Sequence, residues 1–399
     1  MKLQRKDFLI RSANQNYDKD FIEKRLVDIE SKIGKKFEKI RHYTIKPENI
    51  RGNIENFIGA TQVPLGVAGP LLVNGDYAKG VFYVPMATTE GSLVDSYTRA
   101  MMVSAMAGGI KAKILKNIMH ITPLFYCNSV EQALKLSEWL ENNFQKVKKA
   151  AEETTSHGKL KSIETNVFNR YLYVKFLFDT GDAMGLNMIN ISTNNACSFV
   201  SDNFENVKYI LRSNLSSDKK ASFINNVNGY GKTVYAECTL SAAVLKRYFK
   251  TDAKTLLRGW KIANYSQMIG GTVGLNQHFA NGLAAIFVAT GQDVAQIVNG
   301  ATGWSILEEA EDGALFGSVT IPNLLIGTVG GGTHIGTQRE ALEIMDCYGE
   351  GKSKKMAEII AATIYAGEIS LGAAMVHGDF IFAHAKKNKE IKKDLEQDK

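Results

Sequence analysis

Between Leu275 and Val298 the chain reads LNQHFANGLAAIFVATGQDVAQIV, small and apolar on nearly every side of a helical wheel. A helix with no polar stripe has no face to offer water, so it belongs at the centre of a domain with other elements wrapped around it. The wrapping needs a long chain. At 399 residues, 45% hydrophobic and 22% charged, this one has ordinary globular composition and room for about two or three folding units. Disorder, collagen and coiled coil are excluded as overall states.

The flanking segments differ in texture. Residues 1 to about 50 are charged, with apolar positions three and four apart from Phe21 to Glu30, which predicts a peripheral helical region over 1–51. Asn56 to Pro85 reads as short strands joined by turns, with Asn74-Gly75 a hairpin signal. Thr88-Thr89-Glu90-Gly91-Ser92-Leu93 opens a helix that should run to Gly108-Gly109. Over 123–210, strand patterns (Leu124 to Tyr126, Tyr171 to Phe178) mix with helical ones (Val130 to Ala151, Met188 to Ile210), enough for a separate small α+β unit. A strand is expected over Thr233 to Leu240, a strand and glycine turn over 318–333, and one or two helices over 353–384.

Several functions lose support at once. The net charge, 48 − 41 = +7, sits largely in short runs such as Lys35-Lys36 and Lys386-Lys387, and no basic stripe interleaved with aromatics suggests nucleic acid. Cys127, Cys197, Cys238 and Cys347 are far apart and read as thiols of a reducing cytoplasm. The N-terminus lacks a signal-peptide core and no apolar run reaches the roughly 18 residues of a membrane span. No HExxH or other metal-ligand spacing occurs among the histidines, so no metal is expected. Gly231-Lys232-Thr233 lacks the first glycine of a P-loop, Asn226 standing there, and Ile335 takes the slot of the third glycine after Gly330. Nor is there a GxSxG elbow.

What remains are ionisable groups in apolar or glycine-rich surroundings. Asp293 interrupts the apolar helix, and a buried carboxylate needs a cationic or donor partner. Glu90 stands at a glycine-flanked helix start, where capping is the simpler role. Asp218-Lys219-Lys220 lies in a polar loop and, taken alone, reads as a solvated charge run. His384 follows apolar Phe380 to Phe382 and suits a surface position or a proton donor equally. Asp182 is a turn residue by default, although the glycines around it would also let a phosphate approach the backbone.

Together the segments ENFIGATQVPLGVAGPL, VPMATTEGSLV, GDAMGLNM, DKK, GLNQHFAN, GQDVAQ, IGTVGGGT and AGEISLGAA, in that order over about 55 to 388, resemble the 3-hydroxy-3-methylglutaryl-CoA (HMG-CoA) reductase family, nearer its eukaryotic and archaeal class. The resemblance implies an α+β fold: a large domain around a central helix (52–122 and 223–399), an inserted ferredoxin-like dinucleotide-binding domain (123–210), and an active-site loop (211–222). It implies reduction of the HMG-CoA thioester to mevalonate with two NADPH, NADH being the other candidate cofactor. The catalytic positions fall on Glu90, Lys219, Asp293 and His384. Lys219 would stabilise the oxyanion, Glu90 protonate the mevaldehyde oxygen, Asp293 tune its neighbours and His384 protonate the departing CoA thiolate. Substrate contacts fall on Ser96, Arg99, Asn214, Asp218, Lys220, Lys261 and Asn276. Cofactor contacts fall on Asp182, Met184, Gly185, Asn187, Gly330, Gly331, Gly332 and Thr333. A homodimer or dimer of dimers follows, because sites in this family form between subunits. The alternatives are a reductase of a related acyl-CoA and a catalytically silent acyl-CoA-binding paralogue.

The chain departs from the family in places. The arginine that grips the substrate's free carboxylate falls on Ile121, so either His120, Lys220 and Lys261 hold that group or the acyl group differs. Ser156 replaces an arginine near the cofactor's 2′-phosphate, which predicts weaker discrimination of NADPH from NADH, with Lys159 nearby. Asp95 replaces a small residue, with no rationale in the sequence, and Glu390 stands where regulated members carry a serine.

Overall fold

The computed structural model describes residues 9–12 and 16–377. The elements follow in the order α1 (Lys19–Ile33), β1 (Leu65–Gly75), β2 (Lys79–Ala87), α2 (Leu93–Met106), β3 (Ile110–Ile121), β4 (Leu124–Tyr126), α3 (Val130–Asn142), α4 (Phe144–Glu152), β5 (Lys159–Phe168), β6 (Tyr171–Asp179), α5 (Leu186–Asn203) and β7 (Lys208–Ile210). There follow α6 (Phe223–Asn228), β8 (Gly231–Leu240), α7 (Ala242–Val244), α8 (Ala253–Gly270), α9 (Phe279–Thr290), α10 (Ile297–Gly300), β9 (Trp304–Glu309), β10 (Leu315–Leu324), α11 (Gly336–Ile344) and α12 (Ser353–His377). The fold is α+β.

One strand joins two cores. Most of β3, from Lys111 to Ile118, pairs with β8, while its last residues, Met119 to Ile121, pair with β6. On one side lies the larger core, built on β1, β2, β8 and β10 with α2, α9 and α12. On the other, β4, β5, β6 and β7 pair antiparallel in the order β7-β4-β6-β5, the split βαβ arrangement of a ferredoxin-like unit. Its core, with Phe125, Leu136, Phe176 and Ile189, also takes in Tyr230 and Leu325 from the main body, so the two units share a seam. The sequence reading assigned no element to 110–122. A register shift between Ile114 and Lys116 breaks the in–out alternation that would have revealed β3.

The central helix expected over 275–298 is shared between two helices. α9 has 12 residues and stops at Gly291, whose φ of 68° is left-handed and whose Cα lies against the Gly332 carbonyl, leaving no space for a side chain. The longer axis is α12, 25 residues, with every residue from Met356 to Ala366 buried. Among the described residues it alone is long and apolar enough to cross a bilayer, but 72% of that stretch is packed inside the protein. Its two interior glutamates hold turns. Glu358 accepts the N–H groups of Asp76, Tyr77 and Ala78, and Glu368 those of Gln277 and His278. Burial raises the Glu358 carboxyl above its ordinary range despite those donors.

The N-terminal region forms its own small cluster, Ile22, Ile50 and Phe57. Arg25, fully buried, donates to the carbonyl of Phe57 at 2.7 Å. The Gly231-Lys232-Thr233 triplet opens strand β8 rather than a helix, so no phosphate cradle forms there.

Candidate active site

The polar loop 211–222 is pinned from beneath by the segment after α9. Gly291 ends that helix, and Asp293 then caps the next turn by accepting the Ala295 N–H at 3.1 Å. Gln296, fully buried, donates to Asp218 Oδ1 at 2.8 Å, and Asn299 donates to the carbonyls of Ser217 and Lys220, each at 3.2 Å. Asn225 adds a bond to the Ser216 carbonyl at 2.9 Å. The loop needs this support because Asn214, Ser217 and Lys219 all have positive φ, 68°, 49° and 55°. Held so, Lys219 Nζ lies 2.9 Å from Asp293 Oδ2, and Lys220 Nζ returns to the Asp218 carbonyl at 3.3 Å.

Glu90 lies elsewhere in the same chain. Its Oε2 accepts from Asn281 Nδ2 at 2.8 Å in the first turn of α9. Asp293 follows the last turn of that helix, and the rise from Asn281 to Thr290 is about 13 Å. A single chain therefore joins Lys219 to Asp293 but leaves Glu90 at the opposite end of α9. Other expected residues lie on neighbouring elements: Ser96 Oγ lies 2.8 Å from Ser370 Oγ, and Arg99 donates to both the carbonyl and hydroxyl of Ser370. Asn276 donates to the carbonyls of Ala301 and Gly303, while Lys261 is exposed on α8. A cavity of about 440 Å³ opens between α8, β10 and α12, lined by Trp260, Ile262, Tyr365 and Glu368. His384 lies outside the described residues.

The glycine-rich segments meet beside the Lys219–Asp293 pair. Gly330 and Gly331, φ 74° and 57°, face open space, and Thr333 Oγ1 closes their turn onto the Gly330 carbonyl at 2.7 Å. Gly332 instead packs on the backbone of Gly291. The Asp182 carbonyl accepts the Thr328 N–H at 2.9 Å, and its carboxylate takes the N–H groups of Gly351 and Ser353, capping α12. Those backbone donors hold its pKa below the ordinary value although burial pushes the other way. Gly185, φ 82°, starts α5 without a side-chain cap, leaving the first-turn N–H groups, Asn187 included, open to an anion. The carbonyls of Gly330 and Gly331 are taken by Thr333 and Asn53, but no side chain covers the turn, and with the open helix start it fits a dinucleotide's phosphates.

The residues flagged as departures fall out clearly. Ile121 is fully buried, paired with Phe176 across β3 and β6. His120 is 2% exposed and packs tilted against Tyr230, with ring centroids 4.5 Å apart. Burial brings its pKa down to about 3, so it stays neutral and offers no charge to a carboxylate. Ser156 lies in the turn between α4 and β5, and Lys159 faces Glu152 at 3.8 Å. Sequence reasoning missed Asn281, Gln292, Gln296 and Asn299. The one available signal was their polarity at helical spacing in an apolar run.

A lysine–aspartate pair beside an open glycine turn and an uncapped helix start can stabilise negative charge on a carbonyl oxygen, as thioester and aldehyde reductases require. The sequence profile described as hydroxymethylglutaryl-coenzyme A reductase matches residues 21–389. The chain is 44% identical over 364 residues to the 3-hydroxy-3-methylglutaryl-coenzyme A reductase of Methanocaldococcus jannaschii, covering 89% of this chain and 90% of that one. It is 42% identical over 368 residues to the Pyrococcus horikoshii protein of the same name, covering 89% and 88%. The fold also matches the class II 3-hydroxy-3-methylglutaryl-CoA reductase of Streptococcus pneumoniae bound to NADPH, with a TM-score of 0.67 at 19% identity, covering 92% and 100%. The chain belongs to the hydroxymethylglutaryl-coenzyme A reductase family, on the side of its archaeal members.

Proposed function

We propose that the chain reduces the thioester of HMG-CoA to mevalonate, releasing CoA, at a site built on Lys219 and Asp293. The observation that carries this reading is the 2.9 Å contact between those two side chains on a loop pinned by Gln296 and Asn299. Asp293 holds the ammonium in place, and Lys219 faces the thioester oxygen as it takes on negative charge. Gly330, Gly331, Gly332 and Thr333, with Asp182, Met184, Gly185 and Asn187, would hold NADPH, which supplies hydride when bound. The part of Asp182 is to fasten its loop, since its carboxylate is already committed to α12. On this reading residues 123–210 form the dinucleotide-binding domain, 52–122 with 223–399 the substrate domain, 211–222 the catalytic loop and 1–51 a helical cap. Ser96, Arg99, Asn214, Asp218, Lys220, Lys261 and Asn276 surround the acyl-CoA.

Glu90, the acid for the mevaldehyde oxygen, reaches Lys219 from a second copy of the chain. Two features support a homodimer: the length of α9 between Glu90 and Asp293, and the apolar side chains left exposed on α8, with Ile269 88% exposed beside Tyr265 and Met268. His384 serves the CoA thiolate, and the enzyme works in the cytoplasm. The test is direct: purified protein should oxidise NADPH only when HMG-CoA is added. Unchanged absorbance in the presence of both would sink the proposal.

A further inference from the structure

The family resemblance puts the arginine for the substrate's free carboxylate at Ile121, yet that side chain is fully buried against the small core. The loop that carries Lys219 passes beside the same strand end. Ser213 Oγ donates to the carbonyl of Thr122, the residue after Ile121, at 2.5 Å. Its neighbour Arg212 therefore extends from the loop beside that strand end. Arg212 donates through one terminal nitrogen to Asp218 Oδ2 at 2.7 Å and through the other to Asn190 Oδ1 at 3.2 Å. Asp218 Oδ1 takes its second donor from Gln296 at 2.8 Å, and the next residue, Lys219, meets Asp293. The guanidinium is thus one carboxylate removed from the catalytic pair. Its side chain is 39% exposed, and its remaining N–H groups have no partner among the described residues.

We propose that Arg212 binds the free carboxylate of the acyl group, replacing from the loop the guanidinium that strand β3 lacks. This rests on the acyl-CoA reductase reading above. A guanidinium presents several N–H donors in a flat fork, so it can keep Asp218 and Asn190 and still offer further N–H groups to a second carboxylate. The two anchors fix the plane of the fork before substrate arrives. His120 is buried and neutral, and Lys220 turns back on Asp218, so neither competes for this role.

The experiment uses the full-length protein, with Arg212→Met and Arg212→Lys. Steady-state rates with HMG-CoA are combined with inhibition by free 3-hydroxy-3-methylglutarate and by CoA. Losing a charge-assisted contact should raise the HMG-CoA KM of Arg212→Met by about 10- to 100-fold. The inhibition constant for the free acid should rise in step, while that for CoA stays within about twofold. Arg212→Lys should lie between, because it keeps charge without the fork. A merely structural role would weaken CoA and free acid alike, and that result, or an unchanged KM, overturns the proposal. If Arg212→Met does not fold, the Arg212→Lys inhibition constants decide by the same criterion. If the wild type itself leaves NADPH unoxidised with HMG-CoA, the reading of the function fails first and this one with it.

Discussion

The amide of Gln292 closes on Gly327 from both sides: Oε1 accepts the Gly327 N–H at 2.9 Å and Nε2 donates to the Gly327 carbonyl at 3.0 Å. Gln292 precedes Asp293, and Gly327 precedes Thr328, whose N–H holds the Asp182 carbonyl. One buried side chain therefore fastens the turn bearing Asp293 to the segment that meets the Asp182 loop. Gln292→Leu leaves a buried donor and acceptor unpaired, which costs about 2–4 kcal/mol. Urea unfolding should report that loss, and the KM for NADPH should rise. A variant as stable as the wild type would contradict this account.

Asn299 is expected to matter for rate more than for folding. It is 1% exposed, and its amide holds the loop on either side of Lys219, at Ser217 and Lys220. Asn299→Ala frees a strained loop whose native φ values are held by such bonds. The kcat should fall about 10- to 100-fold with HMG-CoA, approaching but not matching the loss from Lys219→Met, for which about 100- to 1,000-fold is expected. Equal kcat for Asn299→Ala and wild type would show that the loop keeps its shape unaided.

His120 sets a pH dependence of stability. Its folded pKa is about 3 against an unfolded value near 6.5, so the unfolded chain binds the proton more readily across that interval. Its contribution is complete above pH 6.5 and is lost progressively as pH falls toward 3, with a slope of at most about 1.4 kcal/mol per pH unit. His120→Phe, which keeps the ring beside Tyr230, should flatten the curve between pH 6.5 and 4. Parallel curves for the two proteins would remove His120 as the cause.

The separation of Glu90 from Lys219 makes a mixing experiment decisive. If each site takes Glu90 from one subunit and Lys219 from the other, the single variants Glu90→Gln and Lys219→Met are each nearly inactive. Unfolded and refolded together in equal amounts, they should form hybrid dimers with one intact site, recovering about a quarter of wild-type activity. No recovery, with dimers verified by light scattering, would place both residues in one chain's site.

Much of the candidate site was legible because its residues fall in compact motifs. Asp293 and Glu90 stand out as carboxylates in small, apolar sequence, and the DKK loop has partners in the family pattern. Arg212 was not legible, because its place beside strand β3 arises only when Ser213 folds back on Thr122, 91 residues away along the chain. The commitment of Asp182 to the start of α12 was equally hidden, its partners Gly351 and Ser353 lying far downstream. In the fold, the helix ending at Gly291 was read too long. Apolar periodicity carries through Gly291-Gln292-Asp293, and the stop comes from a backbone approach by Gly332 that no local pattern records.

The small unit leaves the main body by two unlike routes. It departs on β3, a continuous 12-residue strand hydrogen-bonded at both ends, and it returns through the loop of Asn214, Ser217 and Lys219. A continuous strand on one side and a loop pinned by Gln296 and Asn299 on the other carry the two connections, so any shift of the small unit would reach Lys219 through that loop. In this architecture the placement of the small unit and the aim of the Lys219 ammonium run through one stretch of backbone.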